Sequence, residues 1–251
     1  MIELEELSKF LHTYLGVSQF SDYCPNGIQI EGKKSISTLA TAVSANLETI
    51  DAAVAAGVDA LIVHHGLFWQ GDPRPIVGSL KKKVQQLLDH EISLLAYHLP
   101  LDAHDTIGNN WRAASDMGWN NLKPFGQIDK TYIGVQGSFQ PTDVELFIAQ
   151  LEVYYAHSAN WASGGKKQIS SAALISGGAW KDIRSAVDVG VDCFITGNFD
   201  EPAWSIAQEE QIHFVAMGHS ATERVGPKAL GTFLEQHFKI PCPFLDIKNL
   251  F

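Results

Sequence analysis

The sequence predicts an α/β fold of two similar lobes, and two observations carry that prediction. Segments of strand and helix character alternate almost throughout the 251 residues, the pattern of largely parallel sheets. A helix–glycine–strand unit, Gly57-Val58-Asp59-Ala60-Leu61-Ile62, also returns as Gly190-Val191-Asp192-Cys193-Phe194-Ile195. Further along each half, I-S-L-L-A at 92–96 resembles I-H-F-V-A at 212–216. Any helix–Gly–strand unit converges on such a pattern, but two separate elements recurring in the same order favour a duplicated lobe. The first lobe is expected over 1–125 plus 219–251, and the second over 126–218.

The elements follow in order. Leu4, Leu7, Phe10, Leu11 and Tyr14 have the i, i+3, i+4 spacing of a helix. A strand is expected over 38–44, a helix over 47–56 stopped by Gly57, and a strand over 60–63. Helix 82–90, strand 92–97 and helix 109–117 complete the first half. The second half reads as strand 131–139, helix 141–152 begun by Pro141, strand 172–176 and helix 181–189. Strand 193–196, helix 202–210, strand 213–217 and a long helix over 222–237 close it. Residues 158–171, with Ser, Gly, Lys and Gln, read as an exposed loop.

Composition narrows the function. The chain is 45% hydrophobic and 18% charged, ordinary for a globular protein. Its formal charge of −10 argues against long nucleic acids and anionic membranes as partners. Cys24, Cys193 and Cys242 are odd in number and widely spaced, so a disulfide framework and a thiolate zinc site are not expected. No apolar run approaches the roughly 20 residues of a bilayer span, and the acidic, amphipathic N-terminus has no secretory pattern. A soluble cytoplasmic protein is the expectation.

The chemistry is concentrated where strands end. Ligands of α/β proteins gather at the C-terminal ends of parallel strands. The strand over 60–63 runs straight into His64 and His65, and the next ends in His98-Leu-Pro-Leu-Asp102. The last expected strand is followed by Gly218-His219-Ser-Ala-Thr-Glu223, whose His219 and Glu223 are four apart and able to share a helical face. Three imidazoles and two carboxylates exceed the four ligands that close a structural zinc site. They suit two divalent ions, and Zn, Fe, Mn and Ni all accept such donors. His98 stands outside this set as a candidate for proton transfer or for a contact that supports the ligands. Phe68 and Trp69 are candidates for base stacking or for core packing. Asn109 is a helix cap or a pocket residue, and Ser176-Gly177-Gly178 an anion-binding turn or merely a tight one.

These residues carry a resemblance. The stretches 21–31 (SDYCPNGIQIE), 63–69 (VHHGLFW), 97–104 (YHLPLDAH), 108–110 (GNN), 195–197 (ITG) and 218–223 (GHSATE) resemble the GTP cyclohydrolase 1 type 2 homolog family, also called Nif-three-like dinuclear metal proteins. The resemblance runs from near the start to the final helix. It implies two interlinked α/β lobes of the Nif-three-like fold with the metal site between them. It also implies two divalent cations held by His64, His65, Asp102, His219 and Glu223, and a homohexameric ring with its metal sites facing the inner cavity. Relatives often carry an acidic residue where this chain has Asn198, so a carboxylate there would have to come from Asp200 or Glu201.

The family name implies opening of the guanine ring of GTP. Hydrolysis of a nucleotide or purine- or pterin-like heterocycle is therefore the leading expectation. A metal-dependent phosphoesterase and a non-catalytic metal-binding assembly or regulatory protein remain as alternatives.

Overall fold

The computed structural model describes residues 1–73 and 75–249. It divides into two compact units, one formed by Met1–Leu101 with Gly226–Lys248, the other built on Asp102–Val225.

In the first unit, β1 (Ile2–Glu3) leads into α1 (Leu4–Tyr14) and pairs with β3 (Ser35–Ile36), while β2 spans Gly27–Ile30. Then come β4 (Leu39–Ser44), α2 (Leu47–Ala56), β5 (Ala60–His65), α3 (Gly78–Asp89) and β6 (Ser93–Ala96). The sheet order is β2-β6-β5-β4, with β4, β5 and β6 parallel and β2 antiparallel at one edge. Being covered on both faces, the parallel strands are apolar almost residue by residue. Leu61, Val63, Leu94 and Ala96 pack with Ile50 and Ala53 of α2 and Leu87 of α3. Asn46 begins α2 by accepting the Thr49 N–H, and Gly57 ends it in the left-handed region.

A short helix, α4 (Leu99–Ala103), carries the chain to Asp102 and the second unit. There α5 (Asn109–Asp116) precedes β7 (Asn120–Ile128), β8 (Thr131–Asp143), α6 (Val144–Tyr155), β9 (Asn160–Ala162) and β10 (Gln168–Leu174). They are followed by α7 (Ile183–Val189), β11 (Cys193–Thr196), α8 (Glu201–Glu209), β12 (His213–Ala216) and α9 (His219–Thr222). The sheet runs β7-β8-β10-β11-β12-β9. Its centre, β10-β11-β12, is parallel; β8 and β9 flank it antiparallel. Phe147, Ile148 and Leu151 of α6 pack with Val135, Leu174, Ile195 and Val215. Finally α10 (Val225–Phe238) returns to the first unit.

The duplication is visible in matching bonds. Asp59 precedes β5 and accepts hydrogen bonds from Ser37, Thr38 and Lys33. Asp192 precedes β11 and is bound in the same way by Ser170, Ser171 and Lys166. The Ser93 N–H donates to the Asp59 carbonyl at 2.9 Å, and the His213 N–H to that of Asp192 at 3.1 Å. Glu91 and Gln211, each just before its strand, both adopt positive φ, 51° and 54°.

Several expectations are corrected. The first sheet is largely parallel, as expected, but the second is mixed, because the β7-β8 hairpin and β9 flank its parallel trio. Pro141 lies in β8 and does not start a helix; Asp143 caps α6 by accepting the Glu145 N–H. The expected loop over 158–171 contains β9 and the start of β10. The long helix expected from Thr222 is broken at Glu223, where α9 ends. Residues 102–125 and 219–225, expected in the first lobe, fall within the second unit. Ala113 and Ala114 of α5 enter its core, and Asn110 bonds the Ile133 carbonyl and the Ser176 N–H.

Candidate metal centre

His64 and His65 are the last residues of β5, and His98 follows β6 by two residues. These neighbouring parallel strands deliver three imidazoles to one place. Ring centroids lie 4.7 Å apart for His64 and His65, 4.9 Å for His64 and His98, and 5.8 Å for His65 and His98. Each offers a ligand atom within 4.8 Å of the others, so the trio is able to hold a metal ion.

The first unit also sets how these rings are oriented. His64 Nδ1 lies 3.2 Å from the Tyr97 carbonyl oxygen, and His98 Nδ1 lies 2.9 Å from Asp22 Oδ1. Both partners only accept, so Nδ1 carries the proton and, in the neutral ring, Nε2 carries the lone pair. His65 Nδ1 makes the corresponding contact with Ser44 Oγ at 3.0 Å. The Asp22 carboxylate is itself well tied. It accepts from the Cys24 N–H, the Asn26 amide and the Leu99 N–H. Burial pushes its pKa upward, but the bonds from His98, Asn26 and Cys24 outweigh that and hold it below the usual value. Tyr23 and Trp69 flank His98 edge-on, at 5.0 and 5.1 Å. Trp69 and Phe68 also pack against the first core, one of the two roles foreseen for them.

Donors of the second unit gather around the turn after β10. Asp102 Oδ1 accepts from Asn109 Nδ2 at 2.8 Å and from Ser176 Oγ at 2.9 Å. Asn109 is therefore a partner of Asp102; the residue at the N-cap of α5 is Gly108. His219 Nε2 and Glu223 Oε1 are 3.2 Å apart, with Glu223 buried at the C-cap of α9, two residues before α10. Gly177 makes room for this pair. Its φ is +69°, and a Cβ there would lie 2.3 Å from Glu223 Oε1. Its carbonyl accepts from the Gly197 and Asn198 N–H groups, and its N–H donates to Thr222 Oγ1. The Ser-Gly-Gly turn thus holds Asp102 and accommodates Glu223.

Other polar residues in or near these stretches have local duties. His104 Nδ1 accepts the Thr106 and Ile107 N–H groups, closing a turn beside Asp105. Asp200 caps α8 through the Glu201 N–H, and Asn198 is exposed. Asp22, Ser44 and Ser176 were not foreseen as partners of the candidate ligands. Asp22 lies in a stretch that carries the resemblance, and this was the only signal for it.

Imidazoles and buried carboxylates are donor types that a divalent metal accepts, and His64, His65 and His98 lie close enough together to hold one ion. The fold and these donors therefore define an α/β protein equipped to bind such an ion. The model of Duf34/NIF3 (NGG1p interacting factor 3) matches residues 2–249, and the chain belongs to this family. It is 52% identical to the GTP cyclohydrolase 1 type 2 homolog of Chlamydia pneumoniae, covering 100% of both chains. The Escherichia coli K12 protein of the same name is 36% identical, over 97% of this chain and 98% of that one. Among solved structures, protein ybgI is 35% identical with a TM-score of 0.93, and TTHA1606 from Thermus thermophilus is 32% identical with a TM-score of 0.91. Each covers 100% of both chains. No helix among the described residues is long and apolar enough to cross a membrane.

Proposed function

We propose that the two donor sets serve one dinuclear divalent-metal centre, in a hydrolase acting on a nucleotide or a related purine- or pterin-like heterocycle. The observation that carries this reading is the locking of His64 and His98 on acceptor-only partners through Nδ1. Packing alone requires no particular tautomer; ligation through Nε2 requires this one. In this reading His64, His65, Asp102, His219 and Glu223 bind the ions, and Asn109 and Ser176 hold Asp102 in place. When bound, the ions supply Lewis acidity and lower the pKa of water toward about 7. Trp69 and Tyr23 provide aromatic surface beside the histidines, suited to a planar ring. The names of the relatives support GTP as the first substrate to test. The homohexameric ring is part of the same proposal and is checked by sedimentation velocity.

The test counts metal per purified chain, then follows ring-opened product and phosphate separately during incubation with GTP. Two ions per chain with ring opening support the proposal. Phosphate release alone would replace it with a phosphoesterase, and two ions with neither product would leave a binding role. His65→Ala and Glu223→Ala are each expected to lose metal while remaining folded.

A further inference from the structure

The sequence offered His98 for proton transfer or for support of the ligands. We propose instead that His98 is itself a ligand, sharing one cation with His64 and His65, and that Asp22 is its positioning residue; this rests on the dinuclear reading above.

Three observations support the assignment. First, His98 has the same tautomer as its neighbour. Like His64, it has Nδ1 committed to an acceptor-only partner, which leaves the lone pair of the neutral ring on Nε2 for a metal. Its ring is about as close to His64, at 4.9 Å, as His64 is to His65, at 4.7 Å. Second, His98 is only 6% exposed and held from several sides. Its own N–H donates to Asn26 Oδ1, and Tyr23 and Trp69 stand edge-on to the ring. A ring so confined is suited to a fixed bond, whereas a proton shuttle exchanges with solvent. Third, the Asp22–His98 pair is buried on both sides, at 3% and 7% side-chain exposure. Burying such a pair is a weak source of stability, and apolar residues of similar volume usually serve as well. A carboxylate behind an imidazole does have a purpose in metal sites: it fixes the tautomer and raises ligand basicity.

Cobalt(II) titration of the full-length protein tests this, read by calorimetry and by the d–d absorption of the bound ion. His98→Ala is expected to weaken one of the two ions by more than about tenfold and to change the absorption band. His98→Gln, which keeps an amide donor for Asp22, is the second variant should alanine disturb folding, and the same result is expected. Asp22→Asn should weaken cobalt by about 10–100-fold in the wild-type background and add nothing to His98→Ala. Equal losses in both backgrounds would make Asp22 a purely structural residue and overturn its positioning role. An unchanged band and affinity in folded His98→Gln would overturn the ligand role, while two ions bound by the wild type would leave the dinuclear reading intact. A wild-type protein that takes up no cobalt would overturn both.

Discussion

The Ser176 hydroxyl donates a 2.9 Å hydrogen bond to Oδ1 of Asp102, across 74 residues of sequence. It shares that oxygen with Asn109 Nδ2 at 2.8 Å. Two donors on one oxygen restrain the plane of the carboxylate. Ser176→Ala removes one of them and should weaken metal binding by about 10–100-fold. It should also cost about 1 kcal/mol of stability, a typical net hydrogen bond. Calorimetric metal titration and urea denaturation measure the two effects. Unchanged affinity alongside the stability loss would remove Asp102 from the ligand set.

Gly177 lies one residue further along the same turn. Its φ of +69° disfavours any L side chain, and a Cβ would stand 2.3 Å from Glu223 Oε1. Gly177→Ala should therefore destabilise the protein by about 1–3 kcal/mol and displace Glu223, with loss of metal. Gly190→Ala is the control. Its φ is +74°, but nothing lies within 4 Å of the added Cβ. Backbone strain is common to both variants, so metal loss confined to Gly177→Ala would identify the crowding against Glu223 as the cause. Equal metal loss in both would contradict it.

Asp59 makes stability depend on pH. Burial raises its pKa, but bonds from Lys33, Ser37 and Thr38 outweigh that and carry the folded value well below the usual carboxylate range. The unfolded chain therefore binds a proton more readily than the folded one. The stabilisation is present in full above the unfolded value, near about 4, and is lost as pH falls toward the folded one. The difference in urea midpoint between wild type and Asp59→Asn should be constant from about pH 6 to 8 and shrink below about pH 4. Asp192, lowered by the matching Lys166, Ser170 and Ser171 contacts, should behave in the same direction. A midpoint difference that does not change with acid would show that the carboxylate charge is irrelevant at this position.

Strand ends were the legible part of this sequence. Parallel strands buried on both faces read as short apolar runs, and the polar residues that interrupt them stand out, as His64 does after Val63. The end of helix α2 was legible because Gly57 stops it in the left-handed region. Edge strands were poorly legible. In β7 and β9 much of the surface is exposed and no apolar alternation develops. The break at Glu223 was hidden because an i, i+4 pair satisfies one turn of helix as well as four. The partners of the candidate ligands were hidden for a different reason. Asp22 and His98 are 76 residues apart, and an aspartate in a turn looks the same whether it caps a backbone or orients an imidazole.

The last prediction concerns the edge of the first sheet. Strand β4 has β5 on one side only, and the chain after α10 supplies the other partner. The Leu39 and Thr41 N–H groups donate to the Pro241 and Pro243 carbonyls, and the Leu245 N–H donates back to Thr41. Prolines suit this position, because their carbonyls accept while their nitrogens have nothing to donate. Leu39 and Thr41 are fully buried. A chain ended after Ile240 would leave their N–H groups unsatisfied, at about 1–3 kcal/mol each, and would expose a sheet edge to other chains. The expected result is a stability loss of several kcal/mol with concentration-dependent association, read by urea denaturation and light scattering. The single substitution Leu245→Ala keeps the backbone bonds and trims only the apolar contact. It should cost less and leave the protein monodisperse to the same degree as wild type. Association of both variants would mean that the side chain, and not the capped edge, protects this face.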